Sequence, residues 1–453
     1  MKETIAVGLD IGTTKIVAMI GKKNEYGKLE ILGYGNAKSA GVHRGVIRNI
    51  NEAITSIQEA VSIAEEDSGY KIKQGVVGIA GQHIRSIQHT DYISRNQFEE
   101  VITEDEVDTL TKQVESITML PGEEIINVIP QEYKVNGEAE ITNPVGMYGN
   151  RLEASFHVVV GQGASIRNIG KCIKSADVDL DWLTLEPLAS AEAVLTDEEK
   201  EEGVALIDMG GGTTDLAIFK GGIIRHTAVI PFGGNVITDD IADACLIPKT
   251  RAEQLKIRYG SAWPGENKEH EIVAIPGVKG RDPKEISLKN LSKIIHGRVV
   301  EIFENVFEEI KIYGHTEPKK KLICGIVLTG GGAELKHIKQ LVEYITGLDT
   351  RIGYPNEHLA GSTSEELSSP LYATSVGLVM ESLRRNNISA VPMREYLNNI
   401  AKPEAPEIVL ETKINEPVIN EPKEEPTEEK NKVRKGIFDK FIDKLKDFLD
   451  KAE

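Results

Sequence analysis

One short pattern, written twice, constrains this chain more than any other feature. Residues 4–20 read TIAVGLDIGTTKIVAMI and residues 203–219 read GVALIDMGGGTTDLAIF. Each copy is an apolar run, an Asp-x-Gly, a turn of glycine and threonine ending in Thr-Thr, and a second apolar run. Such runs around a Gly-rich turn predict a buried β-hairpin. Two copies about 200 residues apart predict two similar half-domains facing each other. A third glycine turn, Gly330-Gly331-Gly332 in LICGIVLTGGGAEL at 322–335, follows another apolar run.

The chemistry of these turns is that of a polyphosphate grip. Glycine has no Cβ to block a phosphate oxygen, and threonine adds a hydroxyl donor to converging backbone N–H groups. Asp10 and Asp208, at the ends of the first strands, would sit beside phosphates, where a carboxylate is repulsive unless a cation intervenes. Carboxylate and phosphate oxygens with retained waters favour Mg²⁺. One Asp-x-Gly-Thr-Thr alone reads equally well as an Asx-type hairpin turn. Two copies and a glycine triplet point to a Mg-nucleotide. Other phosphate signatures fail: IGKCIK at 169–174 has Ser165 where a P-loop needs its first glycine and Cys172 after the lysine. No GxGxxG follows a strand, and no HExxH or kinase-type HRD occurs.

The 453 residues suffice for two to four domains. A formal charge of −18 has the wrong sign for a general nucleic-acid binder. Cys172, Cys245 and Cys324 form no CxxC or Cys/His cluster, so neither a disulfide framework nor structural zinc is expected. The amino terminus lacks a signal-peptide apolar core and no apolar stretch reaches about 18 residues, so a cytoplasmic chain without a membrane span is expected. Helical spacing at 50–66, 286–311 and 333–346 between the strand signals predicts an α/β body. Residues 84–162 read as a strand-rich inserted subdomain. Residues 403–430 hold nine Glu, three Lys and five Pro, a composition that cannot bury a core and predicts a disordered linker. Residues 432–453 return to helical periodicity, with Ile437, Phe438, Phe441, Ile442, Leu445, Phe448 and Leu449 within an arc of about 140°. Seven basic against five acidic residues there suit weak docking on anionic lipid. Pairing with a protein partner or with the chain's own body is the alternative.

These motifs, in order, resemble the actin, Hsp70 and sugar-kinase ATPase superfamily. DIGTTK at 10–15 is similar to its first phosphate loop, DMGGGTTD at 208–215 to its second, and LTGGGAEL at 328–335 to its adenosine motif. LEPLASAEAVL at 185–195 and ATSVGLVM at 373–380 resemble its two connecting helices. The resemblance implies ATP and Mg²⁺ as cofactors, with Asp10 and Asp208 holding the ion through water. It implies phosphate contacts from Gly12, Thr13, Thr14, Lys15, Gly210, Gly211, Gly212, Thr213 and Thr214, and adenosine contacts from Gly330, Gly331 and Gly332. It places Glu186 where relatives orient the attacking water, with Asp215 competing for that role or holding the ion. Glu253 and Lys256 correspond to residues flanking the ribose and base. The plain alternatives are a helix-start carboxylate for Glu186 and a surface ion pair for the other two.

Within the superfamily, GQHIRS at 81–86, PQEYKVNG at 130–137 and GMYGNRLEASFHVVVG at 146–161 resemble the FtsA family of bacterial cell-division proteins. That resemblance implies a lobe of 1–83, 163–190 and 365–395, with 84–162 inserted in place of an actin subdomain. The second lobe is then 191–230 with 320–364, and 231–319 forms its outer subdomain. A linker over 403–431 and a membrane-targeting helix over 432–453 complete the chain. It further implies slow ATP hydrolysis at most, self-association into filaments, and anchoring of the FtsZ ring at the inner face of the cell membrane. Arg298 and Glu301 fall where the family binds the FtsZ tail, and 84–162 where later division proteins are recruited. A small-molecule kinase, or an Hsp70-like or pilus scaffold ATPase, is the rival within the same fold.

Overall fold

A computed structural model describes residues 4–396 except 96–98, 268–269, 278–281, 362–364, 386, 388 and 395. The expected linker and terminal helix, with their seven apolar residues, lie outside the described residues. The strands are β1 (Ala6–Ile11), β2 (Lys15–Lys23), β3 (Leu29–Lys38), β4 (Val42–His43), β5 (Val46–Ile47), β6 (Tyr70–Ile72) and β7 (Gln74–Ile79). There follow β8 (Arg85–Ser94), β9 (Glu123–Val135), β10 (Glu138–Ile141), β11 (Arg151–Gln162), β12 (Asp179–Leu185) and β13 (Val204–Met209). The rest are β14 (Thr214–Lys220), β15 (Ile223–Ile230), β16 (Ile272–Ile275), β17 (Lys284–Ser287), β18 (Ile326–Thr329), β19 (Thr350–Ile352) and β20 (Ala390–Pro392). Helices α1 to α5 span Ile50–Ser68, Glu104–Glu115, Gly163–Ser175, Glu186–Val194 and Asp197–Glu202. Helices α6 to α10 span Gly234–Cys245, Lys249–Tyr259, Leu288–Tyr313, Ile338–Thr346 and Ala373–Arg385.

The repeat folds as its spacing predicts. Asp10 pairs with Val17 in the antiparallel β1–β2 hairpin, and Asp208 with Asp215 in β13–β14. Each hairpin seeds a five-stranded sheet, β12-β7-β1-β2-β3 in one lobe and β15-β14-β13-β18-β19 in the other. In both, three antiparallel strands are continued by parallel ones reached through crossovers. Every residue of β1 and β13 is buried, so alternation sorts the side chains between two apolar environments. Val7, Leu9 and Ile11 enter the first lobe's outer core, and Ala205, Ile207 and Met209 that of the second. Ala6, Val204 and Leu206 face a third core between the lobes, and Asp10 and Asp208 fall on that inner side by parity.

Helices α4 and α10 fill the interlobe core and cross at close range. A Cβ on Gly377 would stand 1.8 Å from the Ala189 carbonyl oxygen, and one on Gly8 2.8 Å from Leu378 Cβ. Between β7 and α3, the antiparallel sheet β10-β9-β11-β8 and α2 enclose their own core around Phe156, Val158 and Leu110. Helix α2 begins with a reciprocal Thr103–Glu106 capping box.

Two expected helices shift. The stretch expected at 333–346 is a short 3-10 turn at Gly331–Glu334 followed by α9, because His337 adopts a left-handed φ of 61° that breaks the run. The stretch expected at 286–311 starts two residues later, since Lys284–Ser287 pair with Ile272–Ile275 as a hairpin.

Gly377→Ala should lower stability by about 1–3 kcal/mol, because backbone and not a pliable side chain occupies the space. Gly170→Ala on α3, where nothing lies within 4 Å of the added carbon, should raise it by about 0.5–1 kcal/mol. Urea unfolding of the two variants checks both signs.

Candidate functional site

The two hairpin turns meet face to face. A Cβ on Gly211 would strike Thr14 Oγ1 at 1.9 Å, and one on Gly212 would strike Thr13 Oγ1 at 2.4 Å. The second turn is braced from behind by the start of α6, where Gly234 N–H donates to Gly210 O (2.9 Å) and Asn235 N–H to Gly211 O (2.8 Å). Thr214 Oγ1 donates to Phe232 O at 2.8 Å. The glycine triplet closes the remaining side: Gly330, at φ 80°, lies so close that a Cβ would be 2.3 Å from Asp208 Oδ1. The structure thus brings Asp10, Gly12, Thr13, Thr14, Gly210 to Asp215 and Gly330 to Gly332 together.

Behind the turns lies a buried carboxylate cluster. Asp10, Asp208 and Asp215 are 6%, 7% and 3% exposed. Glu186 stands at the first position of α4 with Pro187 next, the fixed φ of proline favouring a helix start there. Burial pushes the Glu186 carboxyl well up, and Asp10, Asp215 and Asp208 push it further. Burial likewise raises Asp208, and it raises Asp215 to about 8 with Asp208 adding to the shift. Asp215 Oδ1 is buried without a hydrogen-bond partner, while Oδ2 accepts from Thr213 Oγ1 at 2.9 Å.

Hydroxyls of the two interlobe helices hold the aspartates. Ser190 Oγ of α4 donates to Asp208 Oδ2 at 2.5 Å and Thr374 Oγ1 of α10 donates to the same oxygen at 3.1 Å. Ser375 Oγ donates to Asp10 Oδ2 at 3.0 Å. Adjacent residues of α10 therefore set the carboxylate of each lobe. The sequence reading missed these three hydroxyls. Their signal was present, as hydroxyl residues set among the small apolar residues of LASAEAV in α4 and ATSVGLV in α10.

Other expected residues are already engaged. Lys15 Nζ donates to Leu371 O (2.7 Å), lies 4.4 Å from the Tyr372 ring centroid, and is 4.0 Å from Asp10 Oδ2. Burial pushes its ammonium down, against the pull of Asp10, Asp208 and Glu186. Lys256 Nζ donates to Gly234 O and Thr238 Oγ1, each at 2.8 Å, and pairs with Glu253 at 2.8 Å. An ammonium has three donors, so Glu253 and Lys256 tie α7 to the start of α6. Arg298 on α8 grips Asp240 of α6 through Nε (2.6 Å) and Nη2 (2.9 Å) and also bonds Glu301. It lies on a shallow groove lined also by Asp243, Lys293 and Ile294.

The donor set suits a hydrated divalent cation. Asp10, Asp208 and Asp215 are buried, Glu186 and Lys15 are half-buried beside them, and one carboxylate oxygen, Asp215 Oδ1, is unpaired. Among the described residues no three acidic, His or Cys side chains converge to hold an ion directly. With no ion bound, a carboxyl held protonated by folding stabilises the fold below its ordinary value near 4, and that contribution is lost as pH rises toward about 8. Asp215→Asn should flatten the decline of metal-free stability between pH 4 and 8, as denaturant titrations at each pH would measure.

Comparison with known proteins accords with this architecture. The description "Cell division protein FtsA" matches residues 205–377, and "SHS2 domain inserted in FTSA" matches residues 81–160. The chain is 38% identical to cell division protein FtsA of Neisseria meningitidis serogroup B over 82% of its length and 88% of the relative's. It is 33% identical to that of Escherichia coli K12 over 83% and 89%. Among solved structures, a type IV pilus biogenesis complex of PilM and PilN aligns at TM-score 0.61 with 16% identity, over 83% of this chain and 98% of that one. MreB5 of Spiroplasma citri bound to ADP aligns at 0.50 with 18% identity, over 84% and 97%. These structures share the actin-like fold of two duplicated lobes. With that fold, the inserted subdomain and relatives matched over most of their length, the chain belongs to the FtsA family of cell division proteins.

Proposed function

We propose that this division protein is an ATP-binding, filament-forming adaptor that tethers the FtsZ ring to the inner face of the cell membrane. The observation that carries the reading is the pair of opposed Gly/Thr turns backed by Asp10 and Asp208. Backbone N–H groups of both turns and the Thr13 and Thr14 hydroxyls would supply donors for phosphate oxygens, the Thr213 hydroxyl being already given to Asp215. Asp10 and Asp208, oriented by Ser375, Ser190 and Thr374, would hold Mg²⁺ through its waters. The ion when bound neutralises phosphate charge and relieves the crowding of carboxylates. Glu186 would accept a hydrogen bond from a water beside the outer phosphate when ionised, its proton having passed to solvent, a form that a nearby cation would favour. A polyphosphate held by both lobes fixes their relative position, so its presence can bias filament contacts made by the lobes.

The amphipathic residues 432–453 would dock on anionic lipid. One such helix binds weakly, and many copies along a filament bind strongly by avidity. Arg298 is offered to the FtsZ tail only by exchange, because Asp240 and Glu301 already occupy it and the tail must outcompete them. Recruitment of later division proteins falls to the separately cored residues 84–162. Among the described residues no helix is long and apolar enough to cross a membrane.

Asp208→Ala should abolish Mg-ATP binding in titration calorimetry, and unchanged affinity would remove the nucleotide assignment. Deleting residues 432–453 should abolish flotation with anionic liposomes; retained flotation would move the anchor elsewhere in the chain.

A further inference from the structure

The β4–β5 hairpin brings an arginine to the candidate site. Gly41, Arg44 and Gly45 all have positive φ, at 75°, 50° and 72°. Glycine adopts that region freely, but arginine does so under strain that surrounding structure must impose. Here the two turns impose it. Gly45 N–H donates to Thr13 Oγ1 of the first turn at 3.1 Å. A Cβ on Gly45 would stand 2.6 Å from the Ala80 carbonyl oxygen, and one on Gly212 of the second turn would be 3.0 Å from Arg44 Cα. The arginine backbone belongs to one lobe and is seated on the loop of the other.

Its side chain completes the bridge. The guanidinium carbon lies 5.7 Å from the Phe232 ring centroid, and Phe232 is the residue whose carbonyl anchors Thr214. Among the described residues no acceptor takes a hydrogen bond from this guanidinium and no carboxylate pairs with it. An arginine has five donors in a fork that matches phosphate oxygens. The other nearby cations are committed, Lys15 to the Leu371 carbonyl and Lys256 to Gly234, Thr238 and Glu253. The glycine triplet approaches the second turn at Asp208 and Met209, whereas Arg44 approaches it at Gly212. A nucleotide with its base toward the triplet would therefore extend its outer phosphates toward Arg44.

We propose that Arg44 contacts the terminal phosphoryl group of the bound nucleotide from the opposite lobe, so that the β4–β5 hairpin distinguishes a triphosphate from a diphosphate. This rests on the nucleotide reading above. The strain then has a purpose, because it aims a flexible side chain at an anion that only one nucleotide state presents. Holding the guanidinium on an aromatic face beforehand limits the conformational entropy lost on contact.

The test is calorimetric titration of the full chain with Mg-ATP and Mg-ADP, beside thermal unfolding without ligand. Arg44→Gly suits the backbone, so its melting temperature should equal or exceed that of the parent. Its preference for Mg-ATP over Mg-ADP should nevertheless fall at least tenfold, with Mg-ADP affinity little changed, and Arg44→Lys should retain part of the preference. An unaltered ATP-to-ADP ratio in Arg44→Gly overturns the proposal and leaves Arg44 as a lid on Phe232. Failure of the nucleotide reading itself has a different signature, since the parent protein would then bind neither nucleotide.

Discussion

Everything in this molecule is arranged around carboxylates that burial should exclude. Asp10, Asp208, Asp215 and Glu186 lie between two lobes; the three aspartates make Glu186 harder to ionise, Asp10 does the same to Asp208, and Asp208 to Asp215. A buried charge without a partner is among the most destabilising features a fold can carry. The structure meets the demand with hydroxyls of α4 and α10, and leaves Asp215 Oδ1 unsatisfied. On the proposed reading a cation would complete this arrangement, which would link stability to occupancy of the cleft.

The hydroxyls are only as well placed as the helices that bear them. Gly377 lets α10 approach the Ala189 carbonyl, and Gly8 lets β1 approach α10. Ser375 then reaches the first lobe's aspartate while Thr374 reaches the second's. One turn of one helix thereby reads both lobes, and any change in their relative position must pass through it. The β4–β5 hairpin makes a second connection at the opposite edge of the turns. If the cleft takes a nucleotide as proposed, such few and short contacts would couple its state to lobe position, because packed interfaces switch between discrete arrangements.

Much of this was legible in the residues. The duplicated DIGTT and DMGGGTT carry their own geometry, since strand alternation puts both aspartates on inner faces wherever the hairpins lie. The Thr103-x-x-Glu106 capping box likewise announces α2. Glu253 and Lys256 show the limit: helical spacing reveals an ion pair, but Thr238 and Gly234, distant in sequence, make that pair a brace for α6. Lys15 follows DIGTT directly, yet its ammonium is drawn to the carbonyl of Leu371, some 356 residues away. Arg44 carries no motif, and its strain exists only once two lobes close on it.

What the sequence determined by itself is therefore local and repeated: two Asp-bearing hairpins, a glycine triplet, an inserted strand-rich subdomain, an acidic stretch and an amphipathic end. These follow from periodicity, glycine freedom and charge, which act over a few residues. Only the tertiary structure decided which hydroxyls hold the aspartates, which cations are already spent and which remains available. Those outcomes depend on contacts between segments hundreds of residues apart, and a hydrogen bond between such segments leaves no period in the chain.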